Sequence, residues 1–129
     1  GDFSKALLLN DQLYQQFPHN PVCLYNRALL LERLNRLSEA APVWKKLIAR
    51  VETFAQPSNG YLAECHYHLA EIYRSLDESE KARDELALAG RYAGRYRAQE
   101  EMDGPYTPFE DTKKAIERVI NRERRISLK

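Results

Sequence analysis

Apolar residues return at intervals of three and four positions along most of the chain, and polar residues fill the places between them. This spacing puts the apolar side chains on one face of an α-helix. No stretch alternates apolar and polar residues for long enough to predict a strand. Six amphipathic helices are predicted, at about residues 2–17, 21–34, 38–52, 62–73, 82–93 and 108–125. The pattern indicates an all-α domain.

Residues that begin or interrupt helices occur where the apolar pattern breaks. Asn20 followed by Pro21 is typical of an N-cap with proline at the first helical position. The segment QPSNG at 56–60 predicts a turn, and TPFE at 107–110 has the form of a capping box. The first helix is expected to bury five apolar side chains: Phe3, Ala6, Leu7, Leu13 and Phe17.

The segment that begins at Cys23 is repeated from Cys65 onward. Aligned on these cysteines, the two segments also match at Tyr25 and Tyr67, Ala28 and Ala70, Leu34 and Leu76, and Ala40 and Ala82. Ala6 lies 34 residues before Ala40 and belongs to a third, partial copy. Because a single helix pair cannot bury its apolar face alone, this repetition predicts helix pairs that stack into one continuous core.

These repeats resemble those of the tetratricopeptide-repeat (TPR) family, whose helix pairs carry the pattern W-x2-L-G-x2-Y, then A-x3-F, then P. The resemblance covers about residues 1–90 and is carried by Leu24, Ala28, Leu31, Ala40 and Trp44 in one unit, by His66, Leu69, Ala70, Tyr73, Ala82 and Leu86 in the next, and by Ala6 and Pro18 in the partial unit. Three residues depart from the pattern. Arg27 and His66 stand where large apolar residues are usual, and Asn10 replaces an aromatic residue.

The resemblance implies a single domain over 1–129, built as a TPR-like superhelix of antiparallel helix pairs. Residues 1–18 would form the second helix of a partial unit, 20–54 and 60–90 two full units, and 91–129 a basic extension. The last predicted helix matches no family motif. Its alternating polarity predicts a C-terminal capping helix that closes the open end of the core.

In TPR arrays the first helix of each pair lines a concave groove that binds peptides or partner helices. The resemblance places ten residues in this groove: Val22, Tyr25, Asn26, Leu29, Arg33, Glu64, Tyr67, His68, Glu71 and Arg74. Tyr25 and Tyr67 are candidate binding anchors, since tyrosine offers a large contact area and a polar tip. The alternative is that both tyrosines only fill a helix interface. A groove that clamps chaperone carboxylate tails is not expected, because Glu64 and His68 stand where it needs cations.

The stretch ECHYHLAE at 64–71 concentrates potential metal ligands and acid–base groups. On a helix, however, His66 and His68 point about 200° apart and cannot share an ion. Neither H-E-x-x-H nor a cysteine–histidine zinc spacing is present. We therefore predict that His66 is a hydrogen-bonded core histidine and that Glu64, His68 and Glu71 form a solvated charged face. No metal and no cofactor are expected.

Composition and motifs argue against several classes of protein. There is no glycine-rich phosphate loop, no G-x-S-x-G motif and no cysteine with a base facing it, so an enzyme is not expected. No apolar run approaches the roughly 18 residues of a membrane-spanning helix. Cys23 and Cys65 form no CxxC pair and are predicted to be free, buried thiols in a reducing compartment, with the cytoplasm as the default. The formal net charge is +1, which demands neither nucleic acid nor a membrane surface.

Basic residues are concentrated toward the C-terminus. Residues 90–129 hold ten basic and seven acidic side chains, and RYAGRYR at 91–97 interleaves arginine with tyrosine. The candidate basic patch consists of Arg91, Arg95, Arg97, Arg118, Arg122 and Arg125. Arginine and aromatic side chains together can bind phosphates and bases. The small net charge of this region favours solvated helix ends, or docking to an acidic partner, over nucleic-acid binding.

The sequence thus predicts a protein–protein interaction module that binds a peptide or partner helix in the groove, as part of a larger scaffold, adaptor or chaperone. One alternative is a structural domain that self-associates into a homo-oligomer and has no peptide ligand. A weaker alternative is nucleic-acid association through the candidate basic patch.

Overall fold

A computed structural model describes residues 2–103, with side chains through Gln99, and residues 117, 118, 121 and 122. This part of the chain contains five α-helices and no strand, which confirms the all-α prediction. The helices are α1 (Asp2–Gln16), α2 (Pro21–Arg33), α3 (Leu37–Glu52), α4 (Asn59–Ser75) and α5 (Ser79–Asp103). The predicted helix at 108–125 lies largely outside the described residues, although 117–118 and 121–122 are helical. No described helix has an apolar stretch long enough to cross a membrane.

The helix α5 is longer than predicted, since the apolar pattern supports a helix only over 82–93. Residues 95–101 have few apolar side chains but are rich in arginine, alanine, glutamine and glutamate. These residues have high intrinsic helix propensity, so the helix continues although this segment has no apolar face. Gly90 and Gly94 do not interrupt it.

Two helices begin at residues whose side chains cap them. The Asn20 Oδ1 atom accepts hydrogen bonds from the backbone N–H groups of Val22, at 2.8 Å, and Cys23, and Pro21 follows as the first residue of α2. The Ser58 hydroxyl accepts a hydrogen bond from the Tyr61 N–H at 3.2 Å at the start of α4. The predicted N-cap at Asn20 is confirmed. The turn predicted at 56–60 contains Ser58, the N-cap of α4.

The turn after α2 and the turn after α4 have the same backbone geometry. Asn35 and Asp77 adopt positive φ angles of 57° and 61°. The next residue in each turn donates its backbone N–H five residues back at 2.8 Å, from Arg36 to the Leu31 carbonyl and from Glu78 to the Tyr73 carbonyl. This is the Schellman arrangement, in which a left-handed residue ends the helix and satisfies its last carbonyls.

The left-handed residues give a prediction about stability. Asparagine and aspartate tolerate this conformation better than other residues with a Cβ atom, whereas glycine adopts it freely. Asn35→Ala and Asp77→Ala should each lower the free energy of unfolding by about 1 kcal/mol, and the glycine variants should not lower it. Urea unfolding followed by circular dichroism measures both, with Gln12→Ala on exposed α1 as the control. Equal tolerance of alanine and glycine would contradict the turn geometry.

The described contacts divide the chain into two compact units, residues 1–54 and 55–129. In the first unit α2 packs against both α1 and α3. The core of this unit is formed by fully buried side chains of α2 and α3, namely Leu24, Ala28, Leu31, Trp44, Leu47 and Val51. From α1, only Leu7 and Asn10 are buried.

The predicted burial of α1 is therefore wrong for three of its five apolar residues. Phe3, Leu13 and Phe17 remain 45%, 50% and 54% exposed, whereas Leu7 is buried and Ala6 is half-buried. The reason is that α1 is covered by α2 on one side only, and its apolar residues extend around the helix beyond that side. Polar Asn10 takes a buried position instead and donates a hydrogen bond to the Cys23 carbonyl at 3.0 Å.

In the second unit α4 packs along α5, and most of α4 is buried. Three alanines with no exposed surface, Ala63 on α4 and Ala89 and Ala93 on α5, cluster with Tyr96. Tyr67 and Tyr92 pack against this cluster and are themselves half-buried. Small side chains let two helix backbones approach closely, and the surrounding tyrosines fill the space on either side.

Candidate functional site

The groove residues predicted on α2 form a row along one side of the helix. Val22, Asn26 and Arg33 are exposed and Leu29 is half-buried. They follow one another at intervals of four, three and four residues, so their side chains lie within one helical stripe. We call these four residues the α2 ladder. It combines two apolar side chains, an amide and a guanidinium group on a surface that is open to solvent.

The α2 ladder is backed by a well-packed aromatic contact. Tyr25 meets Trp44 of α3 edge to face, with ring centroids 5.7 Å apart and an angle of 82° between the rings. The indole N–H of fully buried Trp44 donates a 2.8 Å hydrogen bond to the Glu32 carboxylate. Tyr25 is half-buried in this contact, so a large part of it fills a helix interface. The backbone that carries the ladder is therefore held on its inner side by α3.

The corresponding residues of α4 are not a solvated charged face, and this prediction is wrong for Glu64. Its side chain is buried, with 1% of the residue exposed. On the same helix, the His68 Nε2 atom lies 3.9 Å from the Glu64 Oε1 atom. A carboxylate can be buried only where neighbouring groups compensate its lost hydration. The spacing of four residues between this glutamate and this histidine is the sequence signal for the pair.

The other α4 groove residues are also occupied within their own unit. Half-buried Glu71 accepts a 2.7 Å hydrogen bond from the exposed Arg74 guanidinium and also pairs with Arg122. Tyr67 packs against the alanine cluster between α4 and α5. The alternative prediction, that this tyrosine only fills a helix interface, therefore describes Tyr67 better than the prediction that it is a free binding anchor. The α4 surface thus offers a partner fewer open groups than the α2 ladder.

His66 is a core histidine, as predicted. The residue is buried, and its Nδ1 atom lies 2.5 Å from the Glu85 Oε2 atom of α5. Its ring stacks on Tyr92, with centroids 5.5 Å apart and the planes inclined by 8°. Within the described residues, no three His, Cys, Asp or Glu side chains lie together in a way that could hold a metal ion. The chemistry of ECHYHLAE is taken up by packing and ion pairing.

The other two departures from the TPR pattern also have polar partners. Arg27 forms an ion pair with Asp11 of α1, and its guanidinium lies 5.7 Å from the centroid of the Tyr14 ring. Asn10 binds the Cys23 carbonyl, as described above. Each polar residue therefore replaces an apolar packing contact with a hydrogen bond or an ion pair between neighbouring helices.

Cys23 and Cys65 are both buried free thiols, as predicted. Burial raises the pKa of the Cys65 thiol well above its usual range, and the nearby Glu64 carboxylate raises it further. Because the thiolate is the reactive form, Cys65 should be inert in the folded protein.

Alkylation measures this protection directly. At pH 8 we expect iodoacetamide to modify Cys23 and Cys65 at least about a hundredfold more slowly in the native protein than in urea, because reaction requires opening of the fold. Mass spectrometry of tryptic peptides separates the two sites. Equal rates with and without urea at Cys65 would contradict its burial.

The candidate basic patch does not form one surface on the described residues. Arg91, Arg95, Arg97 and Arg118 are exposed, Arg122 is half-buried against Glu71, and Arg125 lies outside the described residues. Arg91 and Arg95 share a side of α5, but Arg97 points about 200° from Arg95. The Arg95 guanidinium lies 5.3 Å from the centroid of the Tyr92 ring. The three arginines of α5 therefore do not lie on one side of the helix, which does not favour a continuous phosphate-binding track there.

The chain has no match among family models, curated proteins or solved structures. Of the ten predicted groove residues, the four of the α2 ladder present apolar, amide and guanidinium groups to solvent. Those on α4 are largely engaged in contacts inside residues 55–129.

Proposed function

We propose that this chain is a TPR-like protein-interaction module within a larger scaffold, adaptor or chaperone, and that it binds rather than catalyses. The observation that carries the proposal is the open α2 ladder, in which Val22, Asn26, Leu29 and Arg33 follow one another turn by turn. An exposed row of apolar and hydrogen-bonding side chains on a firmly backed helix is suited to a peptide or a partner helix. The two free thiols favour a reducing compartment, the cytoplasm by default.

The TPR-like architecture is supported by equivalent features of the two helix pairs. Both pairs are joined through a Schellman turn, with Asn35 and Asp77 at matching positions of the repeated segments. Ala28 and Ala70 match in the same alignment, and both are buried. Equivalent turns and equivalent small residues are what a duplicated helix pair requires. The helix pairs would stack into a superhelix with the predicted capping helix at its end.

The chemistry of the ladder suggests the partner's character. Val22 and Leu29 can receive apolar side chains, and the Asn26 amide can both donate to and accept from a peptide backbone. Arg33 lies at the far end of the ladder, with its guanidinium 5.5 Å from the centroid of the Phe3 ring. From Val22 to Arg33 the helix rises by about 16 Å, which equals about five extended residues or three helical turns. A short segment with apolar anchors and one acidic group at its end fits this surface.

Selection from a displayed peptide library tests the proposal even though the partner is unidentified. Peptides that bind the full chain should converge on such a motif, and fluorescence anisotropy then gives their affinities. We expect Val22→Glu and Leu29→Ala to weaken binding at least about tenfold, equivalent to about 1.4 kcal/mol. Ala49→Glu changes an exposed residue of α3 and serves as the matched control, expected to bind like the wild type.

Circular dichroism must show that each variant retains the helical content of the wild type. Failure of the selected peptides to converge would count against a peptide-binding role. Converging peptides whose affinity is unchanged by Val22→Glu and Leu29→Ala would place the binding surface away from the α2 ladder.

A further inference from the structure

The side of α1 next to its contact with α2 carries an exposed apolar stripe. Leu9 and Leu13 of α1 are exposed, as is Phe17, which follows the helix and donates its backbone N–H to the Leu13 carbonyl at 2.8 Å. Their spacing of four residues places them about 40° apart around the helix axis. We call these three residues the α1 stripe. Phe3 is also exposed but lies on the α2 side of this helix, with the Arg33 guanidinium 5.5 Å from the centroid of its ring. Contiguous apolar surface of this kind on a folded domain indicates an interaction site.

Comparison with the later helices shows what usually covers these positions. In the repeat alignment Leu13 corresponds to Leu47 of α3 and Ala89 of α5, and Phe17 corresponds to Val51 and Ala93. All four counterparts have no exposed surface. In α5 they are buried in a cluster with Ala63 of α4, the helix that precedes α5 in its pair. The faces of α3 and α5 that correspond to the stripe are therefore buried, and in α5 the covering helix is α4.

We infer that the α1 stripe is a self-association surface, covered by the α1 helix of a second copy in a two-fold symmetric dimer. The same patch on both copies is self-complementary, as two-fold symmetry requires. An antiparallel crossing centred between Leu9 and Leu13 sets Leu9 of each copy against Leu13 of the other. It also brings the large Phe17 ring beside the small Ala6.

The charges of α1 are compatible with pairing between two copies. Its charged residues are Asp2, Lys5 and Asp11, and Asp11 is engaged by Arg27. The two exposed charges, Asp2 and Lys5, have opposite signs, and the residues flanking the stripe include uncharged Gln12 and Gln16. Two such faces can meet without net repulsion, and antiparallel helices also align their dipoles favourably.

The area available predicts a dimer of modest affinity. With half or more of each residue exposed, the α1 stripe offers roughly 300 Å² of apolar surface per copy. Two copies would remove about 600 Å² of apolar surface, and the polar rim brings the total to about 1,000 Å², in the range of weak and transient interfaces. We therefore expect a reversible dimer with a dissociation constant in the micromolar range.

Analytical ultracentrifugation of the full chain from about 10 to about 500 µM tests this inference, since it spans the dissociation constants expected for such an interface. The weight-average mass of the wild type should rise from 15.0 kDa toward twice that value with concentration. Leu13→Glu should weaken the dimer at least about tenfold, because a carboxylate would be buried against leucine. Leu8→Glu is the matched control, since Leu8 lies on the same helix, is even more exposed than Leu13, and points about 140° away from it.

Mixing two variants separates a surface effect from a folding defect. Leu9→Lys and Leu13→Glu should each remain monomeric, whereas their mixture should recover a heterodimer, because the lysine then faces the glutamate. A wild type that stays monomeric at every concentration would overturn the inference and leave the stripe to a different protein. Equal effects of Leu8→Glu and Leu13→Glu would also overturn it, because they would indicate non-specific apolar association. This surface is distinct from the α2 ladder, so neither result decides the peptide-binding proposal.

Discussion

Trp44→Ala is expected to lower the free energy of unfolding of residues 1–54 by about 3–5 kcal/mol. Trp44 has no exposed surface and is the largest fully buried side chain of the described chain. Its truncation would leave a cavity between α2 and α3 and remove the edge-to-face contact with Tyr25. It would also take away the 2.8 Å hydrogen bond that the indole donates to Glu32. A loss of this size is a large part of the total stability of a small domain.

Hydrogen exchange measured by mass spectrometry shows where this loss occurs. Peptides from α2 and α3 should exchange much faster in Trp44→Ala, and peptides from α4 and α5 should change less, because they belong to the other compact unit. Trp44→Phe is the graded comparison: it keeps most of the apolar contact and should cost about 1–2 kcal/mol. Leu8→Ala, an exposed change on α1, should alter stability by less than about 0.5 kcal/mol. Similar losses for Trp44→Ala and Leu8→Ala would contradict the central packing role of Trp44.

Helix positions can be predicted from the sequence because their signals are local. Asn20 and Pro21 mark the start of α2 through side-chain and backbone chemistry that acts within four residues. The start of α4 similarly depends on Ser58 in the turn cluster. The end of α5 escapes prediction because helix propensity alone extends the helix past the last apolar position, and no apolar pattern records that effect.

Burial is harder to predict than helix position, and α1 shows why. A helical pattern of apolar residues shows that a helix has an apolar face, but it does not show what covers that face. Leu7 lies against α2, whereas Leu13 and Phe17 lie on the uncovered side. The pattern is the same for both kinds of position. Only the arrangement of neighbouring helices separates them.

The polar residues of α4 illustrate both outcomes of such reasoning. His66 is predicted to be a hydrogen-bonded core residue because its position in the helical period coincides with apolar residues, and it is buried against Glu85. Glu64 is predicted to lie on a solvated face, since glutamate is rarely buried. It is buried nevertheless, because α4 is covered on most sides and His68 lies one turn along the same helix. Composition does not predict the burial of this glutamate. The only sequence signal is the spacing of four residues between Glu64 and His68.

This difference bears on where a partner can bind. The repeat alignment predicts that the α2 and α4 surfaces both line the groove, since equivalent positions in a repeat are expected to have equivalent roles. In the structure, ion pairs and the alanine cluster occupy the α4 positions, while the α2 ladder stays open. The proposed peptide site is therefore concentrated on the α2 ladder.

Ala89→Leu is expected to lower the free energy of unfolding by about 1–3 kcal/mol, in spite of leucine's greater hydrophobicity. Ala89 has no exposed surface and packs with Ala63 and Ala93 between α4 and α5. A leucine there must push the helices apart or adopt a strained rotamer, because interiors are close-packed and cannot absorb three more carbon atoms. Urea unfolding followed by circular dichroism, with exchange of α4 and α5 peptides as the local readout, gives the size of the loss.

Ala87→Leu provides the comparison, because Ala87 lies two residues away on the exposed side of the same helix. Alanine and leucine have similar helix propensity, so this change should alter stability by less than about 0.5 kcal/mol. The two variants have the same composition, and they differ only in whether the new side chain meets α4 or water. If Ala89→Leu is tolerated as well as Ala87→Leu, α4 and α5 cannot be in close contact at the alanine cluster. A loss confined to Ala89→Leu would show that small side chains at this position set the spacing of the helix pair.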